Sequence, residues 1–393
     1  MDTTTAPPQP PAVSQTAASG DAPQTRVSTP SIVATMLQVC KQVSDLIFSP
    51  GRAPQVDLNG QLQEVNIAGV GKLLPDATRR IAIDLIGKNE LVASKLEKEG
   101  STDLSYSLPG LARFRVNIFR QRGSYAIVMR VIPMTTPDFK SLNLPVQLGE
   151  IGDLRNGIVL VTGPTGSGKS STLAAILNKI NEDKAYHILT IEDPIEFLHL
   201  HKKSTIHQRE LHSDTPSFAL ALRAALRQAP KVILVGEMRD KETIEIGMEA
   251  AETGHLVFST LHTIDASKTI ERIIGVFPLA DQQAIRTRLA RAFRYIVSQR
   301  LIPKKDGTGR IAAIEILKST MRTREYVEKG EAEGKSLLDA MRDGATEGMQ
   351  HFDGELERMV RAGILDLESA LSYASNAGNL RLEMADLAET TNA

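Results

Sequence analysis

Residues 163–171 read Gly163-Pro164-Thr165-Gly166-Ser167-Gly168-Lys169-Ser170-Ser171, and the first eight fit the pattern G-x-x-x-x-G-K-[ST] without departure. The apolar run GIVLVT precedes them and the helical stretch SSTLAAILNKI follows, which is the strand–loop–helix context the pattern needs. Glycines at these places let backbone N–H groups wrap phosphate oxygens, and the amino end of the following helix adds a positive dipole end. The spacing puts the Lys169 ammonium at the β- and γ-phosphates and the Ser170 hydroxyl on Mg²⁺. The expected ligand is a nucleoside triphosphate, ATP by default, with its magnesium ion.

Ligands of open α/β sheets sit at the carboxyl ends of the strands, so the residues that end the other apolar runs come next. HILTI ends in Glu192-Asp193-Pro194-Ile195-Glu196, VILV in Gly236-Glu237-Met238-Arg239-Asp240, and LVFST in Leu261-His262. Glu237 stands where a Walker-B acid belongs. Because Gly236 replaces the usual Asp, Glu237 is expected to order Mg²⁺ through water, to polarise the attacking water, or both. Glu196 and Glu192 would complete that shell, with Asp193 a second-tier candidate and Asp240, Glu242 and Glu245 read as solvated. His255 and His262 flank the LVFST strand and are expected to sense the γ-phosphate through a donated hydrogen bond; a satisfied structural histidine is the ordinary alternative for each. Seven of the eight histidines fall between His187 and His262. The run His199, His201, His207, His212 matches no recognised ligand spacing, so no metal centre besides Mg²⁺ is expected.

Arg113, Arg115, Arg120, Arg122 and Arg130 crowd a strand-like stretch, with Arg113 and Arg115 on one face together with Asn117. An arginine delivered by a neighbouring subunit stabilises transition-state charge on a triphosphate; a solvated strand face is the alternative. A second run, Arg286, Arg288, Arg291, Arg294 and Arg300, is read onto one basic amphipathic helix with Ile285, Leu289, Ala292 and Ile296 as its apolar face, used for interface packing.

These residues need elements to hold them. In 393 residues, Lys and Arg number 46 against 47 for Asp and Glu, a net charge of −1, which argues against a chain held on nucleic acid by bulk charge. A single cysteine, Cys40, excludes a disulfide framework and a four-Cys zinc site; it is read as a core residue. No apolar run is long enough to span a membrane, and MDTTTAPPQP is no secretory signal. Residues 1–30, with six prolines and few large apolar side chains, read as a disordered tail. A helix is expected from Thr29-Pro30, with Ile32, Val33, Met36, Leu37, Cys40 and Val43 at helical spacing. An α+β domain then occupies 31–133, with a turn at Leu58-Asn59-Gly60, a helix over Ala82–Lys98, and strands over Phe114–Val131 joined at Gln121-Arg122-Gly123. Residues 134–149 read as a linker and 150–303 as a mainly parallel α/β domain with strands Ile158–Val161, His187–Ile191, Val232–Val235 and Leu256–Phe258. Beyond Pro278 the reading is helical to the end, 304–393 being a helical C-terminal region.

With the boxes GPTGSGKS, TIEDPIEF, LRAALRQAPKVILVGEMRDKETIE and AAETGHLVFSTLHT in order, the chain resembles the secretion-type ATPases, and among them the type IV pilus retraction motors of the PilT and PilU type. SDLIFSPGRAPQVDLNGQL and RFRVNIFRQRG are similar to that family's PAS-like N-terminal domain, and the likeness runs from about residue 31 to 382. The resemblance implies a homohexameric ring of RecA-like ATPase cores, each with a PAS-like domain closing over a neighbour's nucleotide. By motif, Glu237 falls on the catalytic Walker-B acid, Glu196 with Glu192 in the Asp box, and His255 and His262 in the His box. Arg115 and Arg130 fall on arginines that family members direct at the phosphates across the ring. ATP hydrolysis would act on an inner-membrane platform protein and draw pilin out of the fibre, which implies a cytoplasmic motor peripheral to the inner membrane.

Extension motors and type II secretion ATPases share the core but commonly carry a four-cysteine zinc motif that one cysteine excludes, which favours retraction. The stretch Arg322–Lys329 keeps only part of the AIRNLIRE helix usual in retraction motors, and the ending looks somewhat more like the PilU type. An accessory ATPase acting beside a paralogous primary motor is therefore the alternative, as is a related type II/IV secretion ATPase. A nucleotide-gated ring partner that does not hydrolyse is disfavoured by the intact Lys169, Glu196 and Glu237. A nucleic-acid translocase is disfavoured by the balanced charge. Lys231 replaces the acidic residue usual before the Walker-B strand, and nothing in the sequence explains it.

Overall fold

The computed structural model describes residues 27–39, 43–58, 60–133 and 135–385. The tail expected over 1–30 lies outside them as far as residue 26, as do Cys40 and Asn59. The first elements are α1 (Thr29–Gln38), β1 (Val43–Phe48), β2 (Gln55–Leu58), β3 (Gln61–Glu64), α2 (Pro75–Ile86), α3 (Glu90–Glu99), β4 (Ser101–Leu108), β5 (Ala112–Gln121) and β6 (Ser124–Ile132). After a 3₁₀ segment at Val146–Asp153 come β7 (Gly157–Thr162), α4 (Lys169–Asp183), β8 (His187–Glu192), β9 (Thr205–Glu210), α5 (Phe218–Ala225), β10 (Val232–Glu237), α6 (Lys241–Glu252), β11 (Leu256–Leu261), α7 (Ala266–Gly275) and α8 (Gln282–Ala292). The chain continues through β12 (Phe293–Pro303), β13 (Arg310–Lys318), α9 (Met321–Lys329), α10 (Leu337–Asp343), α11 (Phe352–Arg361), α12 (Leu367–Tyr373) and α13 (Ala377–Glu383). The described residues up to Thr102 with Asn117–Arg130 form one compact unit; Asp103–Val116 with the described residues from Val131 onward form the other.

The first six strands make a sheet ordered β3-β2-β1-β6-β5-β4. Its burial alternates along β5, with Ala112, Phe114, Val116 and Ile118 inward and Arg113, Arg115 and Asn117 on the other face. Local signals set the turns. Ser28 caps α1 by accepting from the Ser31 N–H, and Asp57 Oδ1 takes the Gly60 N–H at 2.7 Å in the β2–β3 turn. Arg122 and Gly123 supply the positive φ values, 47° and 75°, of the β5–β6 hairpin. The single helix expected over Ala82–Lys98 is two, because Gly87 at φ 60° ends α2 and the Asn89 side chain caps α3.

The second sheet is ordered β13-β12-β7-β11-β10-β8-β9. Every neighbouring pair from β12 to β9 is parallel, and β13 closes the far edge antiparallel to β12. Both faces are covered, and the period of two divides each strand between two cores. Ile158 and Leu160 of β7, like Ile233 and Val235 of β10, pack with α5–α8; Val159, Val161, Val232 and Leu234 pack with α4 and the 3₁₀ segment. A third cluster holds α11–α13 to Ile302, Ile311 and Ala313 at the outer edge.

The helical reading beyond Pro278 is corrected by β12 and β13. α8 stops at Ala292, so Arg294, Ile296 and Arg300 lie on a strand and share no helix face with Arg286. Tertiary pairing overrides the helical spacing: Phe293–Ser298 lies parallel to β7 in the interior of the sheet, where strand-prone Tyr295, Ile296 and Val297 are buried. Arg286, Arg288, Arg294 and Arg300 of that run bond within the fold. Arg288 forks onto Glu252 at 2.9 Å through Nε and Nη2, Arg286 donates to Val327 O at 3.2 Å, and Arg300 donates to Tyr373 O.

Candidate active site

Because β7, β8, β10 and β11 run parallel, their carboxyl ends open on one edge, and the loop after β7 turns there into α4. Gly163 sits at φ 146°, and a Cβ there would lie 2.4 Å from the Gln299 carbonyl oxygen and 2.6 Å from Ser167 Oγ, so no other residue fits. Gly168, at φ 89°, is the N-cap of α4. Lys169 is 7% exposed and its ammonium donates to the carbonyls of Gly163 at 2.9 Å and Pro164 at 3.0 Å. Burial pulls its pKa down, and the charges of Glu196 and Glu237 act in the opposite sense.

The loop forms one wall of a cavity of about 500 Å³ lined by Thr165, Gly166, Lys169, Ser170 and Ser171 on one side. Glu192, Glu196, Glu237 and His262 line the other. Glu237 is placed by the end of β10, with Oε2 2.6 Å from Arg239 Nη2 and 3.8 Å from His262 Nε2. The His262 ring nitrogen Nδ1 lies 3.5 Å from Thr165 Oγ1, so one histidine bridges the phosphate loop and the β10 carboxylate. Burial lowers the His262 pKa, reinforced by the Lys169 and Arg239 charges and opposed by Glu237. That favours a neutral ring carrying one N–H to donate.

Glu192 reaches the cavity wall but commits its carboxylate to side chains of β8 and β9. Oε1 accepts from Thr190 Oγ1 at 2.6 Å and from Gln208 Nε2 at 3.1 Å, and burial pushes its pKa up. Of the lesser acids, Asp240 caps α6 through the Thr243 N–H at 2.8 Å, and Glu242 pairs with Arg223 at 2.7 Å. Glu245 lies 3.8 Å from Lys241, while Asp193 lines the cavity and faces His212 at 4.0 Å.

His255 is corrected. It precedes β11 at that strand's amino end, whereas the phosphate loop follows the carboxyl end of the parallel β7; six residues of strand, roughly 20 Å, separate the two edges. Its Nδ1 instead lies 2.9 Å from the Ala250 carbonyl. The arginines expected to reach a neighbour's phosphates lie on strands of the first sheet. Arg115 is exposed on β5 and absent from the cavity lining, and Arg130 donates to Asp45 Oδ1 at 2.9 Å across the β1–β6 pair.

Gln299, Leu301 and Arg310 carry parts of the site that the sequence reading missed. Gln299 Nε2 donates to the Ser167 carbonyl and its Oε1 accepts from Thr172 Oγ1 at 2.8 Å, while Leu301 and Arg310 line the cavity. Gly307-Thr308-Gly309 before RIAAIEILK was the available turn-and-strand signal. Phe197 and Phe218 supply apolar wall. Among the described residues no group of His, Cys, Asp and Glu is arranged to hold a metal ion by itself.

The residues fit a magnesium–triphosphate group. Ser167 Oγ is buried with no partner, the loop is a cradle that a Cβ would fill, and a lysine, serine hydroxyls and carboxylates face one volume.

The type II/IV secretion system protein family matches residues 59–371. The "Type IV pilus retractation ATPase PilT" of Pseudomonas aeruginosa is 42% identical over 331 residues, 84% of this chain and 94% of that protein. The "Type IV pilus ATPase PilU" of the same organism is 37% identical over 346 residues, 88% of this chain and 89% of its own. A crystal structure of the pilus retraction motor PilT with bound ADP superimposes with a TM-score of 0.78 at 40% identity, covering 89% of this chain and 98% of that one.

Proposed function

The chain belongs to the type II/IV secretion system protein family, as an ATPase of its PilT-like retraction branch with a RecA-like core, and from that premise we propose that it is a hexameric Mg-ATP-driven motor for type IV pilus retraction. The observation that carries the reading is the single cavity in which the phosphate loop faces Glu196, Glu237 and His262. Lys169 and the loop N–H groups hold the triphosphate, and Ser170 with Glu237, the latter through water, would hold Mg²⁺. When bound, that ion would supply positive charge that offsets the charge of the phosphates. Glu237 orients the attacking water and takes its proton; Arg239, 2.6 Å away, holds the carboxylate in place. His262, placed between Thr165 and Glu237, turns its one N–H toward the γ-phosphate when nucleotide is bound, and Glu196 orders the water shell opposite Lys169.

Arg115 and Arg130 are the groups a neighbouring ring subunit would present to the phosphates. The work would fall on an inner-membrane platform protein from the cytoplasmic side; among the described residues no helix is long and apolar enough to cross a membrane. A second reading, an accessory ATPase working beside a paralogous motor, is favoured by the match to the PilU protein over 88% of this chain. Mg-ATP hydrolysis measured against protein concentration, with light scattering on the same samples, tests both. Specific activity that rises as a six-fold ring assembles supports the motor. Equal activity in monomers overturns the shared site, and an assembled ring that binds ATP with negligible turnover brings the accessory reading forward.

A further inference from the structure

The loop from Asp193 to Lys203 carries Glu196 into the cavity, and its polar backbone atoms are tied down by the next strand, β9. Gln208 accepts the His199 N–H at 2.9 Å and donates to Phe197 O at 2.9 Å and Glu192 Oε1 at 3.1 Å. The turn nearest Glu196 has a different anchor. Glu210 Oε2, at the end of β9, accepts the N–H of Ile195 at 3.1 Å, and Ile195 is buried. The same oxygen takes Arg113 Nη2 at 3.0 Å. The Glu210 side chain is 5% exposed and that of Arg113 20%, so this is a largely desolvated pair, and Arg113 Nη1 is steadied by Ser107 Oγ at 3.1 Å. Arg113 and Glu210 lie in the same compact unit.

A buried carboxylate needs its cation. With Arg113 in place, the Glu210 carboxylate has its cation beside it and accepts a charge-assisted bond from the Ile195 peptide; without it, the carboxylate is left buried and unpaired and turns out of that seat toward water. That movement releases the peptide immediately before Glu196. We propose that Glu210 is the positioning residue of the acidic loop and that Arg113 on β5 is the group that holds it there, so that loss of this pair misplaces Glu196 without removing any group that touches nucleotide. This rests on the ATPase reading of the cavity. A displacement of about 1 Å in such a site costs up to a hundredfold in rate.

The test uses the full chain and two readouts: steady-state Mg-ATP hydrolysis, and amide hydrogen exchange of the peptide covering Ile195. Arg113→Gln is expected to lower kcat tenfold or more, leave KM for ATP within threefold, and speed exchange at Ile195 by tenfold or more. Arg113→Lys, which keeps the charge, should hold both near wild type. Adding Glu210→Gln to Arg113→Gln removes the unpaired carboxylate while keeping an acceptor for Ile195, so the double variant should recover most of the lost kcat and protection. Thermal melts identify any variant that is merely unfolded, and for such a variant the Arg113→Lys and double-variant results decide. Unchanged exchange and kcat in a folded Arg113→Gln, or losses that add in the double variant, would overturn the proposal. If the wild-type chain fails to hydrolyse ATP, the ATPase reading falls, and the exchange result still decides whether the pair holds the loop.

Discussion

Gln299 on β12 donates its amide N–H to the carbonyl of Ser167 in the phosphate loop, and its amide oxygen accepts from Thr172 on α4. The conformation of a loop that glycines leave soft is thus imposed from the neighbouring strand. Gln299→Ala leaves the Ser167 carbonyl and the Thr172 hydroxyl buried without partners, each at a cost of about 1–3 kcal/mol. The expected result is nucleotide affinity weakened about tenfold, beside a lowered Tm. Fluorescent-nucleotide titration and a melt check it, and wild-type affinity would show that the loop holds itself.

Lys169 and Glu237 face the same cavity but act at different stages. Lys169→Ala removes the buried ammonium and should abolish measurable ATP binding. Glu237→Gln keeps the shape and should bind ATP while turnover falls by about a hundredfold or more, the range of a lost general base. Single-turnover measurements separate the two, and normal turnover in Glu237→Gln would reassign the base.

Glu315 on β13 is 3% exposed, and burial pushes its carboxyl up to about 7, against the Ala266 N–H that it accepts at 2.8 Å. Asp265 raises it further; the Ser298 hydroxyl and Arg300 act in the opposite sense. Below pH 4.5 the folded and unfolded chains both hold this proton. As pH rises from there to about 7 only the folded chain keeps it, so stability falls across that window, by about 3 kcal/mol in all. Glu315→Gln should flatten that part of the stability–pH profile and leave the variant the more stable at pH values above 7. Parallel wild-type and variant profiles in urea melts would contradict the assignment.

Arg115 is exposed on β5 and makes no part of the cavity in its own subunit. If a neighbour receives it, Arg115→Ala should lower kcat at least tenfold in assembled rings, in the manner of an arginine supplied in trans, with the Tm unchanged. Mixing the variant with an excess of Lys169→Ala subunits, whose arginines are intact, should restore turnover per functional Arg115→Ala site. No recovery on mixing would place the arginine's action within one subunit.

Local chemistry was legible in the sequence and long-range pairing was not. The phosphate loop, Glu237, Glu196 and His262 line one cavity as expected from the sequence, because the short apolar runs before them form parallel strands and their common edge follows from strand direction. His255 failed on the same logic: it adjoins the right strand at the wrong end. β12 and β13 were missed because Arg291, Arg294 and Ile296 continue the spacing of α8, and only the partner β7 decides that Phe293–Ser298 is extended. Gln299, Leu301 and Arg310 went with them. Arg113 was visible as one of a crowd of arginines, but its partner Glu210 is 97 residues away.

The two carbonyls that hold the Lys169 ammonium, those of Gly163 and Pro164, have a further effect on what the cavity admits. They are tethered rivals for the same cation, always present at the contact distance. A guest displaces them only by offering better acceptors, which phosphate oxygens are and a sugar or a base is not. Adenosine, with every base contact available to it, would leave that lysine where it is, so the cavity sorts its visitors by charge before it sorts them by shape.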